Sequence, residues 1–289
     1  MKIADQCIIC NQKKITLSKA IVVPFIAERV FNRKAFRTYL ISCENCGFQF
    51  YAVRLDDAEL VRLYDGYRDD QYIRQRNRHE PWYTHKLNDR LFAKPATLNI
   101  RSKAIVDLVE HYEPGISNHF KKVVDYGGDK GQLLDGILDH AEKYVYEISN
   151  VDLLPGISKA VHPSPITFDF IICSNVFEHV SYPEELLKKM SQMAHQDTVV
   201  YLEIPNEQPF GAYTLAKRIV QQTLLLLLRP RQFMDTFGPG MLTHMHEHVN
   251  YFSEQSLHIL LENIGFKDID ISVQTINQAK FFCCFAKKK

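Results

Sequence analysis

The sequence lacks the features that mark secreted and membrane-spanning proteins. Its first six residues, Met1 to Gln6, contain no apolar core of a secretory signal. The longest leucine run, Leu224–Leu228, is far too short to cross a bilayer, and internal repeats and low-complexity tracts are also missing. These absences predict a cytoplasmic globular protein, in which the seven cysteines serve as metal ligands or free thiols rather than as disulfides.

An excess of charge of either sign is missing as well. The 35 basic and 34 acidic residues leave a net charge of +1, whereas proteins that bind a phosphate backbone are usually more basic. The composition therefore disfavours nucleic acid as a partner. A length of 289 residues with 46% hydrophobic residues suits one α/β domain plus a small module.

The chain also has neither of the common phosphate-binding loops, G-x-G-x-x-G and G-x-x-x-x-G-K-[ST]. Instead, an apolar run leads into a loop of glycines and acids: Asp125, Gly127, Gly128, Asp129 and Gly131. Glycines let a ligand approach the backbone closely, while the acids would repel a pyrophosphate and attract a positive group. Glu147, twenty residues past Gly127, ends the next apolar run and is placed to accept hydrogen bonds from a ribose. The pattern predicts a nucleotide-type ligand with a cationic end, lying across two adjacent parallel strands.

Four segments resemble those of class I S-adenosylmethionine-dependent methyltransferases. The segment Val123–Leu134 resembles their motif I, although Asp129 stands where that family usually has glycine. Phe168–Val180 resembles their fourth strand and the loop after it, and Leu202–Asn206 resembles the end of the fifth strand. His246–Ser253 resembles a segment of one bacterial subgroup, which carries an N-terminal zinc-binding module and often modifies sugars.

This resemblance, which covers nearly the whole chain, implies a Rossmann-like α/β fold with S-adenosylmethionine as the cofactor. The fold is a doubly wound, mostly parallel sheet, and the alternation of strand and helix patterns favours the same class. The cofactor-binding residues that the resemblance implies are Asp125, Gly127, Gly128, Asp129, Gly131, Glu147, Ile148, Asn175, Val176 and Glu178. For Asp129 two roles stay open, contact with the methionyl ammonium or the cap of a helix that starts at Lys130.

We expect three parts along the chain. Residues 1–65 are predicted to form a four-cysteine zinc-binding module, 66–103 a helical connector, and 104–289 the cofactor-binding domain with an insertion at 207–248. The predicted elements of the last part are strands at Val123, Tyr144, Phe170 and Thr198–Ile204, helices at Gln132–His140, Pro183–Ala194 and Glu254–Ile264, and a hairpin of Ile269–Gln274 with Phe281–Ala286. The hairpin supplies the antiparallel final strand that is usual in the family.

Two C-x-x-C turns predict the zinc site. Their cysteines are Cys7, Cys10, Cys43 and Cys46, and four thiolates can surround a tetrahedral Zn²⁺. Gly47, directly after the second turn, suits a metal knuckle in which backbone amides point at sulfur. Because four cysteines leave no open coordination position, we expect a structural rather than a catalytic zinc. The alternative is four ordinary thiols.

Several histidines are candidates for the chemistry. His179 follows the predicted fourth strand on the ligand side of the sheet, where it could orient or deprotonate an acceptor. We expect His246, His248 and Tyr251 to line the acceptor pocket rather than to bind metal, with His248 as a second candidate base. The alternative is that these are polar residues at the start of a helix.

The stretch 207–248 is longer than an ordinary connection in such a fold. We expect it to form a wall of the acceptor pocket, with apolar residues at helical spacing in Tyr213–Leu228. That helix is expected to act as a lid or a dimer contact, while its basic flanks allow peripheral membrane contact through 213–231. Gly238-Pro239-Gly240 predicts a turn.

The resemblance implies a methyltransferase whose acceptor is a sugar, nucleotide-linked or in a glycan, methylated at oxygen or carbon. The basic flanks of the insertion suit an acceptor that bears phosphate, and Tyr72 and Arg74 are further pocket candidates. One rival is an RNA methyltransferase with a zinc ribbon, against which the near-neutral charge counts. The other is a non-catalytic scaffold, against which the intact loop with Glu147 counts.

Overall fold

The strands of the computed structural model form two sheets. The structure describes residues 4–67, 69–87, 95–149, 151–237, 243–276 and 278–288. Strands in these ranges, numbered along the chain, are β1 Ile15–Val22, β2 Phe36–Cys43, β3 Gln49–Tyr51, β4 Lys122–Tyr126, β5 Glu142–Tyr146, β6 Ile157–Lys159, β7 Phe168–Ser174, β8 Ala194–Pro205, β9 Thr243–Met245, β10 Asn250–Tyr251, β11 Phe266–Ile276 and β12 Ala279–Lys288. The α-helices are α1 Pro24–Phe31, α2 Asp57–Tyr64, α3 Asp70–His79, α4 Pro95–Tyr112, α5 Pro183–Gln192, α6 Ala212–Leu228, α7 Pro230–Phe237 and α8 Glu254–Asn263.

Contacts divide the chain into two units. The first contains Met1–Cys7, Asn11–Lys94 and Glu207–Tyr251. The second contains Ile8–Cys10, Pro95–Asn206 and Phe252–Lys289.

The first unit is built on a five-stranded sheet with the order β10-β3-β2-β1-β9. Strands β1, β2, β3 and β10 pair antiparallel, and β9 pairs parallel with β1. Local signals fix the helices around this sheet. Helix α1 begins with Pro24 and ends at Phe31, and the next residue, Asn32, has the left-handed backbone that commonly terminates a helix. Helix α2 begins with a reciprocal capping box between Asp56 and Glu59.

A buried charged network ties α3 to the segment after β9. Arg76 donates from Nε to Glu80 Oε2 at 2.9 Å and from Nη1 to Glu247 Oε1 at 2.8 Å. The Tyr72 hydroxyl also donates to Glu247 Oε1, and His246 Nδ1 lies 3.2 Å from Glu80 Oε1. Burial alone would raise the pKa of Glu80, but Arg76 and His246 outweigh it and lower that pKa to about 2. The network is therefore charged at neutral pH and internally satisfied.

The second unit contains a seven-stranded sheet with the order β11-β12-β8-β7-β4-β5-β6. Strands β4 to β8 pair parallel, while β12 is antiparallel to both β8 and β11. Ile105 and Val109 of α4 share one core with Val123, Phe170 and further buried residues of the central strands. The predicted mostly parallel sheet and its C-terminal antiparallel hairpin are confirmed.

Two local expectations differ from the structure. The helix predicted at Gln132–His140 is wrong, because this stretch is a series of turns. Gly136 and Leu138 have φ angles of +70° and +49°, which an α-helix does not accommodate. Strand β6, in the segment between β5 and β7, was not predicted. The turn predicted at Gly238-Pro239-Gly240 lies outside the described residues.

The stretch 207–248 also differs from its expected place as an insertion in the cofactor-binding domain. Its strand β9 pairs with β1, from Ala20–Thr243 to Val22–Met245. The Tyr51 hydroxyl donates to the His244 carbonyl oxygen at 2.8 Å. Backbone pairing therefore places this stretch with the N-terminal sheet, as part of the first unit. The pairing was not predicted, because β1 and β9 lie more than 200 residues apart in the sequence.

We predict that Arg76→Met destabilises the first unit by about 3–5 kcal/mol, because it leaves Glu80 and Glu247 buried without their cation. The control is Arg74→Met on the same helix, since Arg74 is exposed and 4.0 Å from its acidic neighbour; it should change stability by less than about 0.5 kcal/mol. Urea unfolding followed by fluorescence of Trp82, the single tryptophan, reports on this unit. Equal midpoints for the two variants would contradict a stabilising role for the network.

Candidate functional site

The second sheet has a topological switch point between β4 and β7. From β4 the chain proceeds to β5 and β6 on one side, and β7 and β8 lie on the other. Ligands of open α/β sheets bind in the crevice outside the carboxyl ends of the strands at such a point. The predicted cofactor-binding residues all lie just before or after the carboxyl ends of β4, β5 and β7, so the fold brings them to one edge.

The loop after β4 is shaped by glycine. Gly127 has a φ of +78° and donates its N–H to the Tyr146 carbonyl oxygen at 2.7 Å, which binds the loop to the end of β5. A Cβ on Gly127 would lie 2.6 Å from Val176 Cγ2, and one on Gly128 would lie 2.6 Å from Asp125 Cγ. Any side chain here would therefore displace Val176 or Asp125.

Asp125 is a buried carboxyl whose hydrogen-bonding capacity is not used up. Asp125 is 1% exposed. Its Oδ2 has no hydrogen-bond partner among the described residues. Burial raises the pKa of Asp125 to about 7, Arg101 opposes the rise, and Glu147 and Glu203 add to it. An acid held in this way is stabilised by an additional positive charge.

Glu147 and Asp129 are connected through the loop backbone. Glu147 Oε2 accepts from the Asp129 N–H at 3.1 Å, and its Oε1 accepts from the N–H and hydroxyl of Ser149 at 2.8 and 2.9 Å. Asp129 has a left-handed backbone, with φ +51°, and its Oδ2 accepts from the Gln132 side-chain amide. Because no helix follows Lys130, the helix-cap role considered for Asp129 is not supported.

The remaining predicted cofactor residues follow the strand ends. Asn175 has a φ of +56°, and its side-chain amide donates to Ser174 Oγ at 3.0 Å. Val176 packs against Gly127, Glu178 is buried at 2% exposure, and Ile148 is exposed. The exposed Ile148 and the packed Val176 offer apolar surface next to the polar loop.

A buried polar network at the ends of β7 and β8 was missed by sequence reasoning. Arg101 of α4 binds Glu203 Oε1 through Nη2, and the same nitrogen donates to Ser174 Oγ at 2.7 Å. Ser174 and Tyr201 also donate to Glu203, at 2.8 and 3.1 Å. An acid near the end of the strand Ala194–Pro205 was the available signal, because a charge within an apolar run needs a partner.

His179 and His248, the two candidate bases, each have a carboxylate nearby. In the second unit, His179 Nε2 lies 3.8 Å from Glu178 Oε1. In the first unit, His248 Nδ1 lies 2.8 Å from Glu207 Oε2. Tyr251, at the end of β10, has its pKa raised to about 12 by burial, although Tyr51 opposes the rise. Tyr251 therefore carries its proton at neutral pH.

Three other pocket candidates, all in the first unit, are either part of the charged network or exposed. Tyr72 is buried in the charged network with Glu247, and His246 faces Glu80 in the same network. Arg74 is exposed on α3. Tyr72 thus has a packing partner and a hydrogen bond that account for its burial.

The four cysteines of the two C-x-x-C turns converge. One ligand atom from each lies within 4.8 Å of every other, and Cys7 Sγ is 3.6 Å from Cys46 Sγ. Both turns have the same backbone: the amides of Asn11 and Gly47 donate to the carbonyls of Cys7 and Cys43 at 3.0 Å. Asn11 and Gly47 are also both left-handed, with φ of +57° and +71°. Four thiolates at 2.3 Å from one zinc ion stand about 3.8 Å apart, so the donor set fits this metal.

Comparison with known families decides the class of the protein. A family model described as a methyltransferase domain matches residues 69–271, which is more than half of the chain. The chain belongs to the methyltransferase domain family. The match confirms the predicted enzyme class, an S-adenosylmethionine-dependent methyltransferase, and the seven-stranded sheet is its Rossmann-like fold. No curated protein sequence matches the chain.

Several solved methyltransferase structures are similar to this one. Human N-acetylserotonin methyltransferase in complex with S-adenosylmethionine is 15% identical with a TM-score of 0.46, and the match covers 79% of this chain and 58% of that one. The plantazolicin methyltransferase BpumL, in complex with S-adenosylhomocysteine, is 12% identical with a TM-score of 0.47 over 78% of this chain and 94% of that one. Magnesium protoporphyrin IX methyltransferase from Synechocystis PCC 6803 is 16% identical with a TM-score of 0.43, covering 67% and 86%. This methyltransferase thus spans little more than half the length of the human enzyme.

We predict that Asp125→Asn raises the melting temperature of the ligand-free methyltransferase, and that the gain grows as pH rises from about 4 to about 7. The folded-state pKa of Asp125, about 7, lies above the ordinary 3.8. The folded protein therefore holds the proton, and stability is lost as pH rises through this window. Asparagine is neutral throughout. Thermal unfolding of both proteins from pH 4.5 to 8 measures the difference, and a gain that is independent of pH would contradict the assignment.

Proposed function

We propose that this methyltransferase transfers the methyl group of S-adenosylmethionine to a sugar, either nucleotide-linked or within a glycan. The observation that carries the cofactor part is the buried Asp125 carboxyl, which has an unused oxygen beside a glycine loop at the switch point. A ligand with a cationic end and an adenosyl group matches this combination. The sugar acceptor is supported by the resemblance of His246–Ser253 to the sugar-modifying subgroup.

The residues at the sheet edge fit the cofactor in distinct ways. Asp125 and Asp129 would face its positive groups, and Glu147 would accept hydrogen bonds from the ribose hydroxyls. The loop through Gly127 and Gly128 would let the ligand contact the backbone without a Cβ between them. Bound S-adenosylmethionine supplies an activated methyl group on a sulfonium. The same acids would repel the pyrophosphate of NAD, which we do not expect to bind.

The side chains of the protein have three tasks in such a reaction. They must align the acceptor behind the methyl group, exclude water and, for a hydroxyl or an enolisable carbon, remove a proton. We propose His179 and His248 as the candidate bases, because a carboxylate within hydrogen-bond distance can orient the His248 imidazole and another lies 3.8 Å from that of His179. Tyr251 is proposed as a hydrogen-bond donor to the acceptor, since its raised pKa keeps its proton in place.

An acceptor that bears phosphate suits the charges of the stretch 207–248. This stretch has Lys217, Arg218, Arg229 and Arg231, and no acid between Gln208 and Met234. Guanidinium groups bind phosphate in a bidentate manner. The chain as a whole has a net charge of only +1, whereas proteins that bind RNA are usually more basic, so these charges favour a small phosphorylated acceptor over RNA.

Zinc is proposed to bind the four cysteines as a structural ion. The two turns share a backbone geometry that brings Cys7, Cys10, Cys43 and Cys46 together. A four-cysteine set leaves no coordination position for a substrate. The metal would join the N-terminal turn to the turn between β2 and β3, and so stabilise the start of the first unit.

We predict that binding and turnover separate among site variants. Glu147→Ala should weaken binding of S-adenosylhomocysteine by about 1–3 kcal/mol, the usual range for losing a charged hydrogen-bond acceptor. His179→Ala and His248→Ala should instead lower turnover of a nucleotide sugar and leave this affinity within about threefold, because neither is expected to contact the adenosine.

Calorimetry with S-adenosylhomocysteine and a methyl-transfer assay over a set of nucleotide sugars measure the two effects. Glu185→Ala is the control for Glu147→Ala, because Glu185 is an exposed acid of α5. Absence of S-adenosylhomocysteine binding to folded wild-type protein would overturn the proposed cofactor. Wild-type turnover by both histidine variants would remove them from the mechanism.

We predict one tightly held zinc per chain. Cys43→Ser should release it and unfold the start of the first unit, because metal binding and folding are coupled in such modules. Cys173→Ser, a buried cysteine of β7, should retain the metal. Elemental analysis measures the zinc, and Trp82 fluorescence reports on the folding of the first unit. Wild-type protein without zinc, purified in the absence of chelator, would reject the site.

A further inference from the structure

Helix α6 of the first unit presents apolar side chains to solvent. Six of them are exposed, with Leu227 at 72% and Ile219 at 66%. The full set is Ile219, Val220, Leu224, Leu226, Leu227 and Leu228, to which α7 adds Met234 at 69%. We call these seven residues the α6–α7 surface. A contiguous apolar patch of this kind on a folded protein usually marks a contact site.

The opposite side of α6 carries the polar residues. Arg218, Gln221 and Gln222 are partly buried, and Leu225 is the leucine of this helix that is buried, at 2% exposure. The helix thus inverts the usual arrangement, in which apolar residues face the core and polar residues face water. Packing within the first unit does not use the α6–α7 surface, although it contains four of the five consecutive leucines at 224–228.

Cations surround this surface without acids between them. Lys217, Arg229 and Arg231 are exposed, and no acid occurs from Gln208 to Met234. Within the part of the chain that the structure describes, neither Arg229 nor Arg231 forms an ion pair. The apolar patch is therefore positively charged at its margins.

An arginine-lined groove continues from the end of α6. Its volume is about 510 Å³, and it is lined by Gln71, Arg74, Gln75, Asn77, Arg78 and Arg229. Arg74 and Arg78 are mostly exposed, at 4.0 and 3.4 Å from the carboxylates of Asp70 and Glu28. Since Arg229 directly follows Leu228, guanidinium groups and exposed leucines adjoin at this point. Adjacent cationic and apolar surfaces match an amphiphile with an anionic head.

We infer that the α6–α7 surface docks on a bilayer that contains anionic phospholipids, with its leucines in the acyl region and the groove arginines at the head groups. Amphipathic helices with basic margins bind the membrane interface in this manner. Within the described ranges, no helix combines the length and apolar character that crossing a bilayer requires. The contact is therefore peripheral.

A second copy of the chain is the main competing occupant, and charge argues against it. In a two-fold dimer the same patch meets itself. Lys217, Arg229 and Arg231 would then approach their own copies, and no acid lies between Gln208 and Met234 to compensate them. An anionic bilayer instead complements all three cations.

Docking on a bilayer also has a consequence for the identity of the acceptor, and this consequence rests on the proposed function. A methyltransferase held at a bilayer meets sugars carried on lipid phosphates or diphosphates. The groove with Arg74, Arg78 and Arg229 is suited to that phosphate chemistry. A lipid-linked acceptor is thereby favoured over a soluble nucleotide sugar.

Cosedimentation of the full chain with vesicles tests the docking without any cofactor or acceptor, so its result is independent of methyl transfer. We expect binding to phosphatidylcholine vesicles that contain phosphatidylglycerol, at least tenfold weaker binding to phosphatidylcholine alone, and weakening by salt. Val220→Glu with Leu227→Glu should abolish binding. Arg229→Glu with Arg231→Glu should lower affinity for the anionic vesicles at least tenfold.

Val61→Glu is the matched control, because Val61 is an apolar residue of α2 that is 57% exposed; it should bind vesicles like the wild type. Light scattering gives the mass of each variant. No vesicle binding by a folded wild-type chain would overturn the proposal, as would a dimer that Leu227→Glu converts to monomers. Binding of inorganic phosphate by a chain that ignores vesicles would assign the groove to a soluble anion and also overturn it.

Discussion

The crowding of acids at one edge of the second sheet is the constraint on which the site depends. Asp125 comes from β4, Glu147 follows β5 and Glu203 lies in β8, and Arg101 is the cation that binds Glu203. Asp125 is left with a pKa of about 7 and an unused oxygen. Burial is the main cause of the raised pKa of Asp125, and the neighbouring carboxylates of Glu147 and Glu203 add to it. A ligand with a positive end would stabilise this carboxyl, and this is the electrostatic basis of the proposed cofactor site.

The first unit also contains buried carboxylates, but its own side chains supply the positive charge that they need. Glu80 and Glu247 are also largely buried, but Arg76 lies between them and Tyr72 donates to Glu247. The pKa of Glu80 therefore falls to about 2, whereas that of Asp125 rises to about 7. The contrast separates two kinds of buried acid. One is neutralised by side chains of the fold and holds a helix in place, and the other is the one that we propose to be neutralised by a ligand.

The glycine loop after β4 could be predicted from the sequence because its signals are local. Glycines at 127 and 128 and the acid at 125 lie within four residues, and their spacing is set by one turn. Arg101 and Glu203 could not be found in this way, since their pairing over 102 residues depends on the packing of α4 against the sheet. The turns after the loop were missed for another reason. Leu138 adopts a left-handed backbone, which its residue type disfavours and only tertiary packing can impose.

The sequence also could not predict which face of helix α6 is buried. Its periodicity predicts a helix, and the usual inference would place the leucines inside. The structure leaves Ile219, Val220 and Leu227 in water and turns Gln221 and Gln222 inward. Burying one such side chain is worth about 1.5–3 kcal/mol, and folding of the first unit leaves this free energy unused at several adjacent positions. Association can use this free energy, which is why the orientation of α6 supports the proposed docking of its outer face.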